Sequence, residues 1–127
     1  MMRQIESYKE TEWKRLRQSA LRRDGYMDQY QKRYGKAIAA EIVHHIFPVE
    51  DWPEYQYCLW NLISVSKRTH NQFHNRNNDK LSKIGIDLLI ETARKNKIKI
   101  PYKYIESLKP AKQDRFFYEP PRSIDDV

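Results

Sequence analysis

Every histidine of this 127-residue chain falls in one of two clusters, His44-His45 inside AEIVHHIFP and His70 with His74 inside KRTHNQFHNR. Between them lies Asn61, inside CLWNLISVS. The residues around these clusters restrict the local fold. Ile42 and Val43 carry branched β-carbons and Pro48 closes their run, so Ala39 to Ile46 reads as a short strand with the histidine doublet at its end. Leu62 to Val65 is a second short apolar strand. Ser66 follows as a helix N-cap, its hydroxyl able to accept a bond from a free first-turn amide. The helix it starts is expected from Lys67 to about Arg76, which would set His70 and His74 on one face. The order is strand, loop, strand, helix. Adjacent strand residues point to opposite faces, so His44 and His45 can address one point only where the strand twists or ends.

Around this unit, Trp13, Leu16, Ala20 and Leu21 recur at helical spacing among Lys14, Arg15, Arg17, Arg22 and Arg23. That pattern predicts a basic amphipathic helix over 10–23, with the apolar stripe in the core, stopped near Asp24-Gly25. The following YMDQYQKRYGK is rich in tyrosine and charge and turns at Gly35. After Gly85, IDLLIETARKNK reads as a further helix with Leu88, Leu89 and Thr92 or Ala93 inward, and PYKYIESL as a short turn-like or helical piece. Beyond Lys109 the prolines and charges show little apolar periodicity, and 110–127 is expected to be a mobile tail. The organisation expected is one domain over 1–109, with its core at about 10–80 and a helical extension over 81–109.

The 24 Lys and Arg against 17 Asp and Glu leave a formal charge of +7, which favours an acidic partner such as nucleic acid. No apolar run is long enough to span a bilayer, and the polar N-terminus MMRQIESYKE carries no signal-peptide pattern, so no membrane partner is expected. The lone Cys58 cannot form an internal disulfide, which fits a reducing, cytoplasmic location.

In spacing and flanks these residues resemble the HNH motif of the ββα-metal (His-Me finger) nucleases, and especially the small HNH proteins of phages and prophages. His45 precedes Asn61 by sixteen positions and Asn61 precedes His70 by nine; WKRLR, RRDGY, VHHIFPVE and NLISVS fit as well. The resemblance covers roughly residues 10–80. It implies an α+β fold, mostly helical, with a ββα-metal core. His45 is then the general base, Asn61 orients the base and its loop, and His44, His70 and His74 are ligands to one divalent cation. Many family members also bind a structural zinc through two C-x-x-C pairs. Those positions are occupied here by Asp28 and Gln31 and by Ser66 and Thr69. Such oxygens and amides are poor substitutes for thiolates, so no structural zinc is expected. Hydrogen bonds among the four and packing of Tyr26, Tyr30, Tyr34 and Trp60 would replace it.

The function implied is metal-dependent DNA hydrolysis, by nicking or double-strand cutting, leaving 5′-phosphate and 3′-hydroxyl ends. Three imidazoles favour Zn²⁺, Ni²⁺ or Mn²⁺ over Mg²⁺. Arg15, Arg17, Arg22 and Arg23 are candidate DNA-backbone contacts, and Arg76 a candidate beside the scissile phosphate. The rival reading is a non-catalytic HNH-like DNA-binding module serving a phage packaging (terminase) or regulatory complex.

Overall fold

The computed structural model describes residues 2–78 and 80–107, and the expected mobile tail lies outside them. Helix α1 spans Met2–Arg23, starting well before the predicted residue 10. No glycine or proline interrupts that stretch. It stops where expected, because Gly25 takes the left-handed conformation at φ +63. The Tyr26 amide then donates to the Leu21 carbonyl at 2.8 Å and the Gly25 amide to the Arg22 carbonyl at 3.1 Å. Those two bonds make a Schellman cap.

A four-residue helix that periodicity does not reveal, α2 (Gln29–Lys32), follows, capped by the Asp28 carboxylate. Strand β1 (Ile42–His45) pairs antiparallel with β2 (Leu62–Val65) in the register Ile42 to Val65, Val43 to Ser64, His44 to Ile63 and His45 to Leu62. β1 begins later than the predicted Ala39. Residues 38–40 bond instead to the turn after α1: the Asp28 amide to the Ile38 carbonyl at 2.7 Å and the Ala40 amide to the Tyr26 carbonyl at 2.9 Å.

Helix α3 covers Lys67–Gln72, with Ser66 as the predicted N-cap. It ends before the predicted Arg76, because the next stretch is rich in asparagine. The Asn75 and Asn78 side chains accept from the Asn77 and Lys80 amides, a local alternative to helical bonding. His74 therefore lies beyond the helix, in a single bridge to Leu81. Helix α4 spans Lys83–Lys95 with Ser82 as N-cap, so Gly85 is inside its first turn rather than before it. The predicted inward residues Leu88, Leu89, Thr92 and Ala93 are all buried. Tyr102–Ser107 forms α5.

The sheet divides the core in two. Val43 and Leu62 face α1 and pack with Ala20 and Leu21, against which Trp13 and Leu16 also lie. Ile63 and Val65 face the other way and join Phe47, Phe73, Leu81, Ile86 and Leu89. The strand alternation that sorts these residues also sorts the doublet. His44 goes with the Ile63 face and His45 with the Leu62 face.

The four residues at the cysteine positions are tied directly to one another. Asp28 is fully buried, and its carboxylate accepts from the Gln31 and Ser66 amides, both at 2.8 Å. Burial alone would raise its pKa, but these bonds outweigh that and lower it. Gln31 Nε2 donates to Thr69 Oγ1 at 3.2 Å, and Ser66 Oγ bonds Thr69 Oγ1 at 3.1 Å. Of the four aromatics expected beside them, Tyr30 packs edge-on against Phe73 and Tyr34 against Tyr30. Trp60 packs elsewhere, on Phe47 and Tyr55, and Tyr26 is exposed.

Gly85 supplies a test of this packing. Replacing a helical glycine by alanine ordinarily gains about 1 kcal/mol. Here an added Cβ would run into the Phe73 carbonyl oxygen, whose residue leads directly to His74. Gly85→Ala should destabilise the protein by roughly 1–3 kcal/mol in urea denaturation; a gain in stability would contradict the close approach of α4 to the end of α3.

Candidate functional site

His44, His70 and His74 reach one point from three origins: a strand, a helix and the turn beyond it. Their ring centroids are 5.2 Å (His44 to His70), 5.4 Å (His44 to His74) and 4.9 Å (His70 to His74) apart. One nitrogen of each lies within 4.8 Å of the others. His44 is buried and leans on the Phe73 ring at 4.8 Å. Its Nε2 is sealed from solvent without a hydrogen-bond partner among the described residues. Leaving a buried polar atom unpaired costs about 1–3 kcal/mol, and a cation shared with His70 and His74 would satisfy this nitrogen in its deprotonated form. The donor set fits a divalent metal.

The electrostatics agree. Burial, and then the charges His70, His74 and His45 would carry, hold His44 well below its ordinary pKa of 6.5. Burial and then His74 lower His70 as well. Neutral imidazoles are the form that binds metal.

His45 faces the α1 side of the sheet, yet the strand ends there and the residue lines the same cleft as the other three histidines. Nε2 lies 3.0 Å from the Gln56 carbonyl. A carbonyl only accepts, so Nε2 carries the proton of that bond and Nδ1 keeps a free lone pair. The Trp13 indole stacks on the ring at a centroid distance of 4.9 Å and an angle of 20°. Burial lowers the His45 pKa, against the Gln56 carbonyl, which favours the protonated ring.

Asn61 is fully buried and its side chain bonds backbone only. Oδ1 accepts from the Phe47 amide at 2.7 Å, while Nδ2 donates to the Phe47 carbonyl at 3.2 Å and the Tyr55 carbonyl at 3.1 Å. It thereby pins both ends of the loop that carries Gln56.

The arginines separate. Arg76 is exposed and borders the depression formed by His70, Asn71, His74 and Asn75. Arg15 and Arg22 are exposed on α1, outside the lining of the cleft. Arg17 donates to the Glu41 carbonyl at 3.0 Å. Arg23 is engaged within the fold. Its guanidinium pairs with Asp24 at 2.8 Å and donates to the Leu59 and Leu62 carbonyls at 2.8 and 2.6 Å, clamping α1 to β2. Lys80, which no motif singles out, lines the cleft, and so does Tyr104 of α5, which stacks edge-on against Trp52.

The lowered histidine pKa values have a consequence for the metal-free protein. Unfolded, these imidazoles protonate near 6.5; folded, they do so at lower pH. Between those limits the unfolded chain binds more protons, so stability falls as pH drops through 6.5 and levels off below the folded values. Asp24 and Asp28 act in a separate window, below their ordinary 3.8. Metal-free protein should therefore melt at a lower temperature near pH 5 than near pH 7.5, and His44→Leu should flatten that dependence. Equal melting temperatures across the range would contradict the lowered pKa values of His44, His45 and His70.

No family model matches the chain, and no curated protein does. Among solved structures it is similar to the HNH endonuclease of the deep-sea thermophilic bacteriophage GVE2, whose crystal structure contains manganese ion. Identity is 30%, the match covers 54% of this chain and 76% of that one, and the TM-score is 0.49. At 30% identity over three quarters of the phage protein, the chain is similar to an HNH endonuclease.

Proposed function

We propose that the protein is a metal-dependent DNA endonuclease in which His45 is the general base. The observation that carries this is the juxtaposition of a three-histidine cluster with a fourth histidine whose Nδ1 is left free beside it. His44, His70 and His74 would hold one divalent cation, which when bound supplies positive charge to stabilise the phosphorane-like transition state and the leaving 3′ oxygen. The GVE2 enzyme was solved with manganese ion, and three imidazoles suit Mn²⁺, Ni²⁺ or Zn²⁺ better than Mg²⁺.

The steps assigned to the chain's own groups are few. Nδ1 of His45 takes a proton from a water in the cleft. The oxygen of that water adds to phosphorus, the bond from phosphorus to the 3′ oxygen breaks, and the 3′ oxygen is protonated from solvent. The ends are a 5′-phosphate and a 3′-hydroxyl. The Gln56 carbonyl stabilises the imidazolium through Nε2–H, and Asn61 keeps that carbonyl in place. Arg76, beside the histidines, meets the phosphate, while Arg15, Arg22 and partly Arg17 contact the backbone further along; Arg23 is reserved for holding α1. The Asp28, Gln31, Ser66 and Thr69 cluster holds no zinc and is tied together by its hydrogen bonds.

Conversion of supercoiled plasmid with Mn²⁺, Ni²⁺, Zn²⁺ and Mg²⁺ tests the proposal. The wild type should cut with at least one of them. His45→Ala should bind metal normally and cut at least ~10²-fold more slowly, whereas His44→Ala should lose metal. A His45→Ala variant as fast as wild type would remove the base assignment, and a wild type that binds DNA but never cuts would leave a DNA-binding module.

A further inference from the structure

We propose that Trp13 is a positioning residue for His45: stacked on one face of the imidazole, it fixes rotation about the Cβ–Cγ bond so that Nδ1 stays directed at the cleft. The proposal rests on the nuclease reading above and extends the working site to helix α1.

The need for such a residue follows from the geometry of the ring. The described hydrogen bond to the imidazole is at Nε2, to the Gln56 carbonyl. Nε2 lies closer than Nδ1 to the axis of the Cβ–Cγ bond. Rotation about that bond therefore moves Nδ1 more than it moves the bonded atom. This torsion is broad and soft in histidine. One bond at Nε2 thus sets where the ring sits but restrains its tilt weakly. A flat partner on the ring face restrains tilt directly, and the Trp13 indole lies there at 4.9 Å and 20°.

The indole can serve as a stop because its own helix is fixed. Trp13 packs against the cluster of Ala20, Leu21, Val43 and Leu62. Four residues on, Arg17 donates to the Glu41 carbonyl just before β1, and Arg23 donates to the Leu59 carbonyl and to the Leu62 carbonyl at the start of β2. Helix α1 is thereby tied to both strands on either side of His45. The stack also shields one ring face from water. An apolar stripe at helical spacing accounts for Leu16 and Leu21 in that cluster; Trp13 differs in covering a titratable ring.

The experiment compares Trp13→Leu, which keeps an apolar filler, with Trp13→Phe, which keeps a flat ring. At saturating DNA and Mn²⁺, Trp13→Leu should lower the single-turnover rate by at least ~10-fold, the scale expected when a reacting group loses its alignment. Trp13→Phe should stay within about threefold of wild type, since a smaller ring still stacks. Calorimetric affinity for Mn²⁺ alone and affinity for DNA should be unchanged in both. In proton NMR, the His45 ring signals, assigned by their loss in His45→Ala, should lie upfield in wild type and move downfield in Trp13→Leu. A Trp13→Leu variant that cuts at the wild-type rate, equal losses in both variants, unmoved His45 signals, or a loss of Mn²⁺ affinity would each overturn the proposal, the last by making Trp13 an ordinary core residue. A wild type that cuts no DNA with any metal would instead sink the nuclease reading beneath it.

Discussion

The site depends on one buried side-chain amide. Asn61 spends its Oδ1 and Nδ2 on three backbone partners, two at Phe47 and one at Tyr55. Phe47 lies two residues past His45, and Tyr55 lies one before Gln56, whose carbonyl holds the His45 ring. A single residue just before β2 thus closes the loop leaving β1 and sets the acceptor that selects the His45 tautomer. Each bond to a buried backbone group contributes about 0.5–1.5 kcal/mol, and leaving such groups unpaired costs more. No apolar residue of similar size could take that place, because it would strand the Phe47 amide and carbonyl in the core.

The two-stranded sheet converts a sequence doublet into two different environments. His44 faces the larger cluster around Phe73, loses nearly all solvent and shares its surroundings with two other imidazoles. His45 faces α1, keeps partial exposure and lies against an indole. Had the doublet fallen in the middle of a strand, the second ring would be sealed behind the sheet. At the strand end both can line one cleft. Asp28 does the equivalent service on the other side, linking the first turn of α2 to the N-cap of α3 and so setting the start of the helix that carries His70.

Much of this was legible in the residues, and the gaps have physical causes. β2 and the Ser66 cap are local: an apolar run followed by a hydroxyl decides them. The end of α1 is also local, since Gly25 can adopt a left-handed conformation. The start of β1 is not, because residues 38–40 choose between two partners, the turn after α1 and β2. Helical spacing predicts too long an α3 because it ignores what the asparagines after His74 can do with their own side chains. His74 nonetheless joins the cluster, since a bridge to Leu81 holds it where a further helical turn was expected to. Nothing in a run of basic residues distinguishes Arg23, whose partners lie 36 and 39 positions away, from Arg22 beside it. A helical stripe likewise says that Trp13 is covered, without saying by what.

The central claim is that three histidines from a strand, a helix and a turn form one metal site while the Asp28, Gln31, Ser66 and Thr69 cluster forms none. Anomalous diffraction from crystals soaked in Mn²⁺ measures this directly. The account predicts one strong peak per chain, about 2 Å from a nitrogen of each of His44, His70 and His74. A peak inside the Asp28 cluster, or a histidine cluster that binds no ion, would contradict it.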